Sequence, residues 1–271
     1  MDDGATVVVT GAGLGLGAAI AHRAAADGWT VGVLDRDVDT AHRTAEALGP
    51  RAIALHADTT DECAFESALD VLAEATDSPA PDAIVGNAGI VRFGPLLDAT
   101  LEDWRSTVDV NLTGTFVAAR AVARRMVAAG RPGSIVTITS MNGVAPGTHS
   151  GAYGATKAGV ALLTQQMALE WGPYGIRANA VAPGLIDAGM SEPIYADPGI
   201  RELRSSRVPL GRLGRSDDVA AVVLFLLSDA AGYVTGTELL VDGGVTMSVL
   251  STLPRPRAVD SVGPAPTADD S

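Results

Sequence analysis

The chain has 271 residues, 47% hydrophobic, 4% aromatic and 19% charged, and its 19 basic against 32 acidic side chains leave a net charge of −13. That length and apolar content suit a folded protein with a sizeable core and exclude a disordered chain. The acidic balance disfavours nucleic acid and anionic membrane surfaces as partners, and no apolar run approaches the ~18 residues that cross a bilayer.

In chain order, residues 5–10, 30–34, 51–56, 83–86, 134–139, 177–182 and 238–241 read as strands: short, β-branched and largely apolar. Residues 16–26, 61–75, 101–129, 152–171 and 217–227 have helical length and pattern. Apolar strands separated by helices predict an α/β fold, a doubly wound parallel sheet of about seven strands with helices on both faces. Residues 187–215 break the rhythm with Pro, Gly and Arg and are expected to cover the carboxyl ends of the strands as a substrate-covering insert. From Ser251 the pattern stops; Pro254, Pro256, Pro264 and Pro266 stand among small and acidic residues, which predicts a disordered tail over 251–271 behind a single domain at 1–250. Cys63 is the only cysteine, so neither an internal disulfide nor a cysteine-rich metal site is expected. Met1-Asp2-Asp3-Gly4 puts no basic region ahead of an apolar stretch, so no secretory leader is expected and the location is read as cytoplasmic.

Thr10-Gly11-Ala12-Gly13-Leu14-Gly15-Leu16-Gly17 follows the first strand and opens a helix. Glycines permit the tight turn and a close backbone approach to a pyrophosphate, and a helix start offers free N–H groups and a positive dipole end. The same glycines could serve only to pack a helix on a strand, and Leu16 occupies the third glycine of the G-x-G-x-x-G fingerprint. Asp35 ends the second strand, where a carboxylate can accept both ribose hydroxyls of an adenosine and repel a 2′-phosphate. Arg36 beside it could partly accommodate that phosphate, but the carboxylate favours NAD over NADP. Asp58 after the third strand has two readings: a bond to the adenine amino group, or helix capping, since Thr59-x-x-Glu62 has the form of a capping box.

Tyr153 and Lys157, four residues apart on a helix, project from one face. A phenol is a poor base near neutral pH, and an adjacent ammonium is expected to lower its pKa. Ser140 lies at the end of the fifth strand, thirteen residues before Tyr153, where its hydroxyl could polarise a carbonyl or alkoxide. Asn111 falls within a long helical region, where an amide can distort the ladder and hold a water against a carbonyl, or serve as a buried structural group.

These motifs together resemble the short-chain dehydrogenase/reductase family, in its single-domain branch. The similarity spans about residues 5–247 and is carried by the glycine turn, Asp35, Asp58, Asn87-Ala88-Gly89, Asn111, Ser140, Tyr153-x-x-x-Lys157, Asn179-x-Val181-x-Pro183-Gly184 and Val241-Asp242-Gly243-Gly244. The resemblance implies a Rossmann-type fold and hydride transfer between NAD and a secondary alcohol or ketone, without a metal. It implies Tyr153 as general acid/base, Ser140 as the group orienting the substrate oxygen, and Lys157 on the nicotinamide ribose. Asn111 would hold a relay water, Asp58 would contact adenine and Asn87 would steady the central strand. Pro183 and Gly184 would begin the loop that meets the nicotinamide, with the Ile186 backbone reaching its carboxamide.

Two positions depart from the family pattern: Gly86 replaces the first asparagine of Asn-Asn-Ala-Gly, and Ala188 replaces the threonine of Pro-Gly-x-x-x-Thr. Placement around the motifs nominates Met141, Asn142, Val144, His149, Met190, Ile194 and Tyr195 for a mostly apolar substrate pocket. The alternatives are a 3-oxoacyl thioester reductase using NADP, whose acidic carrier protein could dock on Arg120, Arg124, Arg125 and Arg131, and a non-catalytic NAD(H) sensor. The resemblance also implies a homotetramer, with small or apolar residues such as Ala118, Ala119, Ala121, Ala161 and Leu162 permitting helices to pair between subunits.

Overall fold

Short runs of β-branched and apolar residues pair into one parallel sheet in the computed structural model, which describes residues 4–248. The tail expected at 251–271 lies outside the described residues. β1 (Thr6–Thr10), β2 (Thr30–Asp35), β3 (Ala52–His56), β4 (Ala83–Gly86), β5 (Gly133–Ile138), β6 (Ile176–Pro183) and β7 (Glu238–Val241) lie in the order β3-β2-β1-β4-β5-β6-β7. Every neighbouring pair is parallel. The connections carry α1 (Gly15–Ala26), α2 (Val38–Leu48), α3 (Glu62–Thr76), α4 (Leu101–Val108), α5 (Gly114–Ala128), α6 (Met141–Val144), α7 (Tyr153–Trp171), α8 (Glu192–Tyr195), α9 (Pro198–Ser205) and α10 (Ser216–Leu227).

The sheet is covered on both faces because its central strands are apolar on both. Val7 and Val9 of β1 pack with Ile20 and Ala24 of α1 and with Val219 and Val223 of α10. Val8, between them, points the other way and joins Phe65, Leu69 and Leu72 of α3 and Val122 and Met126 of α5. Each such large side chain, fully buried, contributes about 1.5–3 kcal/mol.

Residues 101–128 are helical without a break, and the ladder distortion expected at Asn111 is a π-helical turn, Asp109–Thr113, between α4 and α5. Two expectations need correction. Thr59 and Glu62 do not form a capping box: Asp61 caps α3 by accepting the Ala64 N–H at 3.0 Å, and Glu62 is the first helical residue. Ala118, Ala119 and Ala121 are buried against the sheet of their own subunit, so they are not available to a neighbour; Leu162, 68% exposed, is. The short helices α6, α8 and α9 escaped the sequence reading, and so did the longer α2, capped by Asp37, whose carboxylate accepts the Asp39 and Thr40 N–H groups at 3.1 and 3.0 Å. The buried face of α2 is only Thr and Ala, which leaves little apolar pattern to detect.

Residues 187–215 leave the sheet after β6 and return beside it. A bridge between Ile186 and Gly214 closes the base of this excursion, with Asp187 N–H donating to the Gly214 carbonyl at 2.9 Å. No helix among the described residues is long and apolar enough to cross a membrane.

Arg177, near the start of β6, fastens the far side of the sheet. Its guanidinium donates to the carbonyls of Leu226, Leu227, Ser228 and Val234 at 2.8, 3.3, 3.3 and 3.4 Å, so it satisfies the end of α10 and the turn before β7. Arg177→Met is expected to lower unfolding stability by about 2–4 kcal/mol, read by urea denaturation, because several carbonyls lose a charged donor. A loss under half a kcal/mol would show that water replaces the guanidinium at no cost.

Candidate active site

β1 and β4 are neighbours, yet the chain leaves their carboxyl ends in opposite directions, which opens a crevice at the switch point. A cleft of about 860 Å³ lies there. Its walls include Gly11, Leu14, Gly15, Leu16, Gly17, Asp35, Arg36, Asp58, Asn87, Ala88 and Gly89 at one end. Ser140, Met141, Asn142, Tyr153, Lys157, Pro183, Gly184, Ile186, Met190, Ile194 and Tyr195 follow at the other. Of the sequence-nominated residues, Gly13, Asn111, Val144 and His149 do not line it. His149 is exposed on a loop with φ +62°, and Val144 is also exposed, so neither is a cleft residue as expected. Val91, Phe93, Thr148, Ser150, Glu192 and Arg204 line the cleft instead; sequence reading passed over them because no motif marks their positions.

The glycine turn is held from three sides. Thr10 Oγ1 accepts the N–H groups of Asn87 and Ala88 at 3.0 Å each and donates to the Val85 carbonyl at 3.3 Å. Asn87 Nδ2 donates to the carbonyls of Thr10 and Gly11 at 3.0 and 3.1 Å. Gly17 packs so tightly here that a Cβ would collide with the Gly11 carbonyl and the Asn87 amide. Gly13 lies behind the turn: its N–H donates to Asp35 Oδ2 at 3.0 Å and its carbonyl accepts from Thr44 Oγ1 at 2.9 Å. Asp35 Oδ1 accepts the Asp37 N–H at 3.0 Å, so the carboxylate at the end of β2 is fixed in orientation. Asp58 Oδ1 accepts the Thr60 N–H and hydroxyl at 2.8 and 2.7 Å. Burial alone would raise the Asp58 pKa, but the Thr60 bonds and the charge of Arg36 outweigh it and hold the carboxyl below its ordinary range.

These residues fit a dinucleotide. α1 begins at Gly15 with no side-chain cap and no acid in its first turn, leaving a positive dipole end open to a pyrophosphate. Asp35 and Asp58 supply acceptors where nucleoside hydroxyl and amino groups would lie. Gly184 lets the end of β6 approach β7, since a Cβ there would lie 2.5 Å from Asp242 Cα and Cβ. At the positions that depart from the family pattern, Gly86 keeps its pairing with Thr137 and Ala188 lines the cleft. Among the described residues, no group of His, Cys, Asp and Glu could hold a metal ion.

At the other end, Ser140 caps α6 by accepting the Asn142 N–H at 3.2 Å, and its hydroxyl acts on the Tyr153 phenol to favour the ionised form. Lys157 is buried, donates to the Ile138 carbonyl at 2.7 Å and sits 5.6 Å from the Tyr153 ring centre. Asn111, wholly buried in the π-turn, accepts the Ile90 N–H at 2.8 Å and donates to the Ile90 carbonyl and Thr156 Oγ1 at 2.9 and 3.1 Å. Its own carbonyl accepts from Thr115 Oγ1 at 2.7 Å. The expectation of a lowered phenol pKa is not met in this state. Burial pushes the Tyr153 phenol up, and the Ser140 hydroxyl offsets only part of that.

Arg120, Arg124, Arg125 and Arg131 do not form a free basic patch. Arg120 pairs with Glu62 at 2.6 Å, Arg124 approaches the same carboxylate at 3.8 Å, Arg125 pairs with Glu66 and Asp70 at 2.9 and 2.7 Å, and Arg131 pairs with Asp82.

Burial lowers the Lys157 pKa from 10.5 to about 8. The unfolded chain therefore holds the proton more tightly, and the penalty of about 3 kcal/mol stands in full below pH 8 and disappears as pH rises to 10.5. Urea denaturation across that interval should show the native protein gaining stability relative to Lys157→Met. A constant difference between the two would mean that the buried amine titrates normally.

A family model described as Enoyl-(Acyl carrier protein) reductase matches residues 11–246. The chain is 41% identical over 251 residues to an L-rhamnose 1-dehydrogenase (NAD(P)(+)) of Azotobacter vinelandii, covering 90% of this chain and 97% of that one. It is 40% identical over 251 residues to 3beta-hydroxysteroid dehydrogenase 1 of Eggerthella lenta, covering 90% and 94%. A solved short-chain type dehydrogenase/reductase from Mycobacterium marinum matches with a TM-score of 0.83 at 34% identity, over 89% of this chain and 95% of that one. With the parallel sheet, the glycine turn and the Ser140, Tyr153 and Lys157 cluster in place, the chain belongs to the short-chain dehydrogenase/reductase family.

Proposed function

We propose that the chain transfers a hydride reversibly between NAD and a secondary alcohol or its ketone. The observation that carries this reading is the convergence of Ser140, Tyr153 and Lys157 at one end of a cleft whose other end suits a dinucleotide. When bound, the nicotinamide supplies the hydride acceptor, or the donor in the reverse direction, and its ring charge adds to that of Lys157.

In oxidation the Tyr153 phenolate takes the hydroxyl proton of the alcohol, and in reduction the neutral phenol returns it. The Ser140 hydroxyl donates to the substrate oxygen as negative charge grows there. The Lys157 ammonium favours the phenolate and would hold the nicotinamide ribose. With the Asn111 side chain committed to Ile90 and Thr156, and one lone pair of its backbone carbonyl taken by the Thr115 hydroxyl, the second lone pair of that carbonyl would hold the relay water. Pro183, Gly184 and the Ile186 backbone would meet the nicotinamide end of the cofactor.

The fixed Asp35 carboxylate supports NAD over NADP, because a 2′-phosphate would meet a charge that cannot swing away. Relatives named for a sugar and a hydroxysteroid support a ring-bearing secondary alcohol. The paired arginines give no support to docking of an acidic carrier protein. A homotetramer is supported by exposed apolar side chains on α4, α5 and α7, among them Leu101, Phe116, Leu162 and Leu169.

NADH formation against a pooled panel of secondary alcohols, with NADP in parallel, tests the reading. NAD-dependent turnover is the expected result; NADH binding with no turnover on any alcohol would favour a sensor. Tyr153→Phe should lower kcat by roughly 10³-fold while NAD affinity holds; an active variant would remove the phenol from the mechanism. Asp35→Asn should reduce the preference for NAD over NADP by about 10-fold or more in kcat/KM. An unchanged ratio would assign cofactor choice elsewhere.

A further inference from the structure

The insert between β6 and α10 carries five arginines: Arg201, Arg204, Arg207, Arg212 and Arg215. Arg201 is bound at both nitrogens by Asp187, at 2.6 and 2.9 Å, and Arg212 in the same way by Asp218, also at 2.6 and 2.9 Å. Arg204 differs in two respects. It is the one arginine of the insert that lines the cleft, and among the described residues no carboxylate forms an ion pair with it. It is half-buried at the end of α9, and its guanidinium lies 5.6 Å from the centre of the Tyr195 ring, a buried side chain. The nearest acid on the cleft wall in sequence, Glu192, is engaged through Oε1 with the Gly189 N–H at 2.9 Å.

Besides Tyr195, the apolar side chains Phe93, Met190 and Ile194 line the same cleft as Arg204. A cation in such a place, in a protein of net charge −13, lacks the carboxylate partner that Arg201 and Arg212 have. We infer that Arg204 anchors a carboxylate on the substrate, so that the alcohol oxidised is a hydroxy acid with an apolar, ring-sized body between hydroxyl and carboxylate. A guanidinium fork matches the two oxygens of a carboxylate, and a ring beneath it fixes the plane of that fork. One arginine in an acidic protein suits a monoanion better than a phosphate dianion. The identity of the anchored molecule as substrate rests on the proposed hydride-transfer reading; the anion site itself does not.

The test therefore uses unreactive probes first. Calorimetry on the full chain saturated with NAD should find cyclohexanecarboxylate bound about 10–100-fold more tightly than cyclohexanecarboxamide. Arg204→Gln should erase that preference with NAD affinity unchanged, and Arg204→Lys should restore part of it. Equal binding of the two probes by the native protein would overturn the inference. So would a preference that survives in Arg204→Gln, or a matching loss of NAD affinity, which would assign the guanidinium to the cofactor phosphates. A matched pair of ring alcohols, with and without a carboxylate, then separates the two claims. A lower KM for the acid, lost in Arg204→Gln while kcat holds, supports both. No turnover of either alcohol, with the probe preference intact, removes the oxidoreductase reading and leaves the anion site standing.

Discussion

The cleft exists because two parallel strands that part company are tied together at their ends by side chains. Beyond Thr10 and Gly86 the backbone ladder between β1 and β4 can no longer hold, since one chain turns into α1 and the other runs on past Asn87. Thr10 Oγ1 and Asn87 Nδ2 continue the ladder by other means, bonding backbone groups that the diverging chains leave unpaired. Loss of these bonds would free the glycine turn, and with it a helix start that has no side-chain cap of its own. Everything placed on the cofactor side, including the Gly13 contact with Asp35, depends on that turn staying where β1 delivers it.

The catalytic side is assembled from three separate elements and held by burial. Lys157 reaches across α7 to the last carbonyl of β5, the phenol of Tyr153 meets the hydroxyl that caps α6, and Asn111 clasps the backbone of Ile90. Taking an amine and a phenol out of water destabilises the charged form of each. Burial thus leaves the two groups nearer neutrality than their proximity alone would suggest. A positively charged ring entering the cleft would act on groups that are already poorly hydrated, where a charge has its largest effect.

Much of this was legible in the sequence because it is written in local pattern. The strands follow from short β-branched runs, and the order of the glycine turn, Asp35, Ser140, Tyr153 and Lys157 along the chain fixes which strand ends they occupy. What was not legible depends on tertiary pairing. Ala118, Ala119 and Ala121 suit both a helix packed on its own sheet and a helix packed on a neighbour, and sequence does not choose between them. Val144 and His149 sit close to the motif in number, but both are exposed to solvent while Gly147, Thr148 and Ser150 of the same loop line the cleft. Arg204 looks like its neighbours in sequence; its place on the cleft wall, and the carboxylates opposite Arg201 and Arg212, emerge only in the fold. The capping of α3 by Asp61 rather than Thr59 is a matter of where the chain leaves β3, which composition does not record.

The π-turn at Asp109–Thr113 is one residue wider than the helix on either side of it. An added residue advances the angular position of all that follows by about 100°. α4 therefore shows its neighbours one face and α5 another: α4 buries little beyond Thr107, whereas α5 buries nine of its fifteen residues. The turn acts as a phase shifter between a lightly anchored segment and a core helix. A single-residue deletion within it would leave a smoother helix and the same composition, yet it would rotate α4 away from its present neighbours or pull Asn111 off the backbone of Ile90. The length of this stretch, more than the identity of most residues in it, is the inherited constraint.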